Sequence, residues 1–153
     1  MDAVQATPYV EVVDTKYLEI LLGYNARRAA LSIIEIFLQR MAVYDLRPVD
    51  FSVLSLITHN PGITSKQLCS SLNIRPPNLV AMVNGLEKKE LISRRPHPHD
   101  GRAQGLHLTE TGVKIMRQAE KTAVDLEISA TSQLSAAERK TLIRLLKKVY
   151  LSA

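Results

Sequence analysis

Two helix-start signals lie so close together that only short elements fit between them. Thr64-Ser65-Lys66-Gln67 is a capping box, T-x-x-Q, in which the threonine hydroxyl and the glutamine amide satisfy each other's free backbone N–H groups. Pro76-Pro77 suits the first turn of a second helix, where the missing N–H costs nothing. The first helix therefore ends near Leu72, Asn73-Ile74-Arg75 is a tight connection, and the second helix runs over about 76–89. Two short strand candidates follow, Leu91–Arg95 and Gly105–Thr109, flanking a long tip at 96–104. Helix, bend, helix and hairpin in this order leave few ways to build a core.

The flanks are helical. Asp14 is the expected N-cap of a helix reaching about Asp45, with Leu18, Leu21, Leu22, Ala26, Ala29, Ala30, Ile33, Ile34, Phe37, Leu38 and Met41 spread over more than one stripe. A helix apolar on most sides needs cover on most sides, and a second copy of the chain would supply it. Pro48 starts the next helix, to about His59, and Asn60-Pro61-Gly62 is a turn. Thr109 or Thr111 opens a helix to about Ser132, and the capping box Ser135-Ala136-Ala137-Glu138 opens a basic amphipathic last one. The expected fold is mainly α with a small β-hairpin. The expected divisions are 1–45, an arm and dimerisation helix; 46–109, the central unit; and 110–153, C-terminal dimerisation helices.

Charge is segregated along the 153 residues, whose net charge is +5. Arg75, Lys88, Lys89, Arg94, Arg95 and Arg102 face only Glu87, Glu90 and Asp100 between positions 75 and 105. The last 18 residues hold Arg139, Lys140, Arg144, Lys147 and Lys148 against Glu138. A basic hairpin beside a short helix points to nucleic acid. No apolar run approaches the roughly 20 residues that span a bilayer, and the acidic N-terminus lacks the basic start of a secretory signal. The single cysteine, Cys69, is read as a small buried hydrophobe in a reducing cytoplasm.

Together these elements describe a winged helix-turn-helix, with the second helix in the major groove and the hairpin tip, the wing, near a minor groove. Leu79, Met82, Val83 and Leu86 share the inward face of the second helix. Asn78, Ala81, Gly85 and Lys88 lie opposite, flanked by Pro77 and Asn84, with Arg75 just before. That face has amides for adenine edges, small residues for close approach and cations for phosphate; an ordinary solvated face is the other reading. Arg102 is the side chain expected to enter a minor groove, helped by Arg94 and Arg95. Asp100 is expected to hold the Arg102 guanidinium by bidentate bonds, the alternative being an Asx-type turn.

The stretch GITSKQLCSSLNIRPPNLVAMVNGLEKKELISRRPHPHDGRAQGLHLTETG resembles the DNA-binding core of MarR-family transcription regulators. Leu86–Arg94 matches that family's "LxxxxLIxR" strand, Asp100-Gly101-Arg102 its D-x-R wing, and Leu108–Gly112 its "LTxxG". The resemblance implies a homodimer on a palindromic operator and repression relieved by a small ligand. It also implies effectors that are aromatic acids or their acyl-CoA thioesters. Gly101, Glu90, Ala81 and Gly85 depart from the family's usual wing arginine, turn glycine and polar base contacts.

For such an effector the residues offer Arg27 and Arg28 with Tyr17, Tyr24, Tyr44 and Phe51, an arginine for a carboxylate and aromatic walls for a ring. Ion pairing of the two arginines is the competing reading. His97, His99, Asp100 and His107 lack tight metal-ligand spacing, so no metal or other cofactor is expected, and wing histidines near phosphate are the simpler reading. No phosphate loop or nucleophile–base pair suggests an enzyme. The leading expectation is a ligand-responsive dimeric repressor; a winged-helix protein-interaction module or a metal-responsive regulator are the alternatives.

Overall fold

A computed structural model describes residues 8–151. The chain separates into two compact units, one through Ser32 and one from Ile33 onward. In the first unit the expected single helix is broken. A short α1 (Lys16–Glu19) has Thr15 as its N-cap, and α2 (Leu22–Met41) starts after a gap of two residues, Ile20 and Leu21. Asp14 accepts the Lys16 N–H at 2.9 Å from just outside the helix. Asn25 stabilises the break, its amide donating to the carbonyls of Glu19 (2.7 Å) and Leu21 (2.8 Å). An asparagine that competes for backbone carbonyls is a recognised way to interrupt helix pairing.

In the second unit, a single 3-10 turn over Ala42–Tyr44 ends at Asp45 in the left-handed region. Pro48 then opens α3 (Pro48–His59). The buried Asp50 accepts the Arg47 guanidinium at 2.8 and 3.1 Å, which raises the arginine's pKa further above its ordinary value. β1 (Ile63–Thr64), α4 (Ser65–Leu72) and α5 (Pro76–Lys88) follow, the last two joined through Asn73 at φ 51°. The hairpin is β2 (Ile92–His97) and β3 (Asp100–Leu108), and α6 (Glu110–Ala130) and α7 (Ala136–Tyr150) complete the chain. Thr64 and Ser135 form the two expected capping boxes, and the Ser135 contacts hold the Glu138 carboxyl below its usual range.

The core gathers Phe37, Met41, Val53, Leu54, Ile57, Leu68, Leu79, Val83, Leu86, Leu106, Met116 and Leu126. Each fully buried aliphatic side chain contributes about 1.5–3 kcal/mol. Cys69 packs half-buried against this core.

Two expectations about the sheet need correction. It has three antiparallel strands, ordered β1-β3-β2, because Ile63 and Thr64 pair with Leu106 and Gly105. Two residues are too few to show an alternation, so β1 left no periodic signal. The close approach needs glycine: a Cβ on Gly105 would lie 3.0 Å from the Gly62 carbonyl oxygen. The hairpin also has no long tip. Its strands run to a turn at Pro98-His99, with Pro96 opposite Gln104 and His97 opposite Asp100. Gly101, Arg102 and Ala103 are therefore left without partners on β2, as a bulge. Pro96 does not end the strand because β2 is an edge strand, where a missing N–H costs no ladder bond.

Glu90 adopts φ 58°, the left-handed turn for which glycine is suited, between α5 and β2. Glu90→Gly should raise stability by about 0.5–1 kcal/mol, relief of roughly 1–2 kcal/mol of left-handed strain less the added freedom of the unfolded chain. Urea unfolding of the variant measures it, and an unchanged or lower midpoint would refute it.

Candidate nucleic-acid interface

The phase of α5 follows from its apolar spacing. Leu79, Val83 and Leu86 are buried and Met82 is half-buried. Pro77, Asn78, Ala81, Asn84, Gly85 and Lys88 are exposed, and Arg75 stands exposed at the N-cap. Glu87, the one acid in α5, is paired with Arg94, Nε to Oε2 at 3.0 Å. The same guanidinium donates to Asn84 Oδ1 at 2.6 Å. Arg94 therefore points back to α5 rather than to the wing tip, a correction to its expected place beside Arg102. Sequence reasoning missed this bracket because seven to ten residues separate the partners.

Strand alternation sends Arg95 the other way. Its side chain lines a recess with His107, Arg117 and Glu120, on the side of α3 and α6. It thus leaves the expected group of wing cations. Lys89, next to Lys88, is held by Asp45, Nζ to Oδ2 at 2.8 Å, which keeps that carboxyl below its ordinary pKa. The missed link anchors the end of α5 to the turn before α3.

At the tip, Asp100 accepts the backbone N–H of Arg102 at 3.0 Å. The carboxylate shapes the bulge through an Asx-type contact and does not grip the guanidinium, so the bidentate expectation is corrected. A short acid two residues upstream reaches the main chain more readily than the end of a long side chain. Arg102 itself is exposed. His99 donates its backbone N–H to His97 Nδ1 at 3.2 Å. Among the described residues, no three His, Cys, Asp or Glu side chains gather as metal ligands.

The expected effector residues fall in both units: Tyr17, Tyr24, Arg27 and Arg28 in the first, Tyr44 and Phe51 in the second. Tyr44 shares a hydrogen bond with Thr122 Oγ1 at 3.0 Å. Phe51 meets Phe37 edge-on, with centroids 5.6 Å apart. Arg27 and Arg28 are exposed and make no ion pair with a described residue.

A short helix with a polar outward face, Arg75 before it and Lys88 at its end, bracketed by Arg94 to an antiparallel wing, defines a winged helix-turn-helix. The chain belongs to the MarR family, whose sequence profile matches residues 44–103. It is 32% identical over 130 residues to a protein assigned to transcriptional regulation of the hcr operon of Thauera aromatica, covering 84% of this chain and 78% of that relative. The transcriptional repressor CouR bound to a 23-mer DNA duplex superposes with a TM-score of 0.85 at 34% identity, over 91% of this chain and 99% of that one. CouR bound to p-coumaroyl-CoA gives 0.81 at 34% identity, over 90% and 97%. No helix among the described residues is long and apolar enough to cross a membrane.

Proposed function

We propose that the chain is a homodimeric repressor that binds a palindromic operator through α5 and the wing and releases it on binding a small aromatic acid or its CoA thioester. The observation that carries the reading is the outward face of α5. It is exposed from Arg75 to Lys88, and its one acid is neutralised by Arg94. The two-chain assembly is supported by uncovered apolar surface. α7 buries no residue, and Leu142, Ile143, Leu145, Leu146 and Val149 are all exposed. Isologous pairing of such faces matches a two-fold operator. By division of labour, residues 46–109 read DNA, and 1–45 with 110–153 hold the dimer.

Selection of binding sites from random duplexes tests DNA binding and symmetry together. It should return a palindrome with half-sites about 34 Å apart, occupied by two chains in sedimentation. Arg102→Ala should weaken binding about tenfold, most with A·T-rich flanks, as expected for loss of a minor-groove cation. Asp100→Ala should weaken it less, by loosening the bulge. A folded monomer at micromolar concentration refutes the assembly. An Arg102→Ala variant that binds as the parent does refutes the wing contact.

For the switch, Arg27 or Arg28 holds the effector's acid group. Neither has an acidic partner among the described residues, and the p-coumaroyl-CoA complex of CouR supports the ligand class. A ligand acts only through different affinity for two conformations. A preference of about 3 kcal/mol for the one that misplaces the two α5 helices lowers operator affinity roughly a hundredfold. Calorimetry and operator release with a panel of aromatic acids and thioesters should show loss of response in Arg27→Ala or Arg28→Ala. Release at unchanged concentration from both variants would make these arginines structural.

A further inference from the structure

A groove of about 890 Å³ separates α4 from the end of the wing. Lys66, Gln67, Ser70 and Ser71 form its helical wall, and His97, the last residue of β2, lines it from the wing. Among the described residues no Asp or Glu lines it. Lys66 is exposed and forms no ion pair with a described residue. The Ser70 hydroxyl donates to the Lys66 carbonyl at 3.2 Å, while Ser71, one residue on, is exposed. His97 Nδ1 accepts the His99 backbone N–H at 3.2 Å, and the two rings meet edge-on with centroids 6.2 Å apart. An imidazole nitrogen that accepts carries no proton, so the neutral ring holds its proton on Nε2 and keeps that atom as a donor. An ammonium, a hydroxyl and a ring N–H, with no acid to neutralise them, are a donor set for an anion.

We propose that this groove seats one backbone phosphate of the operator, held by Lys66, Ser71 and the Nε2–H of His97. The inference rests on the reading that α5 occupies a major groove and the wing tip the neighbouring minor groove. The strand that separates two adjacent grooves then crosses between the helix pair and the wing, where this groove lies. The first helix of a helix-turn-helix crosses the backbone in the same sense. Phosphate contacts fix orientation without reading sequence, so this one sets the register of the wing against the helix pair. The two sides contribute differently. Lys66 neutralises a charge and releases a counterion, whereas His97 is a positioning residue that supplies one neutral hydrogen bond from a ring oriented by the His99 N–H.

The test compares the parent with Lys66→Gln, His97→Asn and His97→Gln on the selected operator, over a salt series at pH 8, where a solvated imidazole is uncharged. Lys66→Gln should weaken binding about tenfold and lower the slope of log affinity against log salt by about one. His97→Asn keeps an acceptor for the His99 N–H but ends short of the Nε2 position. It should weaken binding about fivefold, the scale of one neutral hydrogen bond, with the salt slope unchanged. His97→Gln, whose amide stands near the place of Nε2, should recover most of that loss. A methylphosphonate scan of the operator, which removes one phosphate charge at a time, locates the contact. One position in each half-site should cost the parent about tenfold and cost Lys66→Gln little. Parent-like affinity in both Lys66→Gln and His97→Asn, or equal losses in parent and Lys66→Gln at every scanned position, overturns the proposal. So does a shift of the His97 ring protons by millimolar inorganic phosphate without DNA, because the groove would then be a site for a free anion. If the parent binds no duplex at all, the repressor reading itself fails and this contact falls with it.

Discussion

Gly112→Ala should destabilise the protein by about 3 kcal/mol or more, at the upper end of overpacking effects. A Cβ there would stand 2.1 Å from the Leu91 carbonyl oxygen and 3.1 Å from its carbon. Both are backbone atoms, so no side chain can swing aside. The same oxygen accepts the Thr109 N–H at 3.0 Å, and Thr109 Oγ1 in turn donates to the Glu90 carbonyl at 2.6 Å and accepts the Gly112 N–H at 3.0 Å. Making room for one methyl would pull apart the joint between β2, β3 and the first turn of α6. Gly85→Ala is the control. Nothing lies within 4 Å of its missing Cβ, so the better helix former should be neutral or stabilise by up to about 1 kcal/mol. Urea denaturation of both variants decides it; equal midpoints would mean that the Gly112 contact is relieved at little cost.

Ala81→Glu should lower operator affinity about a hundredfold or more while leaving the fold unchanged. Ala81 is exposed on the outward face of α5, so the longer side chain meets no protein atoms that must move. Against DNA it would put a carboxylate among phosphates, and like charges brought together in an interface cost several kcal/mol. Thermal unfolding should match the parent, and fluorescence anisotropy against the selected operator should show the loss at each salt concentration. Parent-like affinity would place the DNA on a different surface and remove the main support for the repressor reading.

Much of the frame was legible because short-range chemistry sets it. Pro48, the Thr64–Gln67 box, Pro76-Pro77, Thr109 and Ser135–Glu138 mark the starts of α3 to α7, and each works within one helical turn. The apolar phase of α5 also assigned its inward and outward faces. Longer-range arrangements were not legible. β1 needed knowledge that Gly62 and Gly105 would come together. The interruption between α1 and α2 depends on one asparagine bonding across it, in a stretch whose composition reads as continuous helix. The wing arginines lie close together in sequence, yet Arg94, Arg95 and Arg102 are sent to three places by strand alternation and a bulge. Charge alone carries no direction.

The bracket from Arg94 to Asn84 and Glu87 also bears on how such a reader changes its target over generations. Asn84 faces outward on α5, but its side-chain oxygen is committed to Arg94. Replacing it alone would alter a candidate base contact and release the hairpin at once, and two losses in one step are rarely tolerated. Asn78, Ala81, Gly85 and Lys88 carry no such double duty. On the proposed reading of α5 as the operator-reading helix, a lineage drifts to new operators through those four positions one at a time, whereas position 84 moves only in concert with 94.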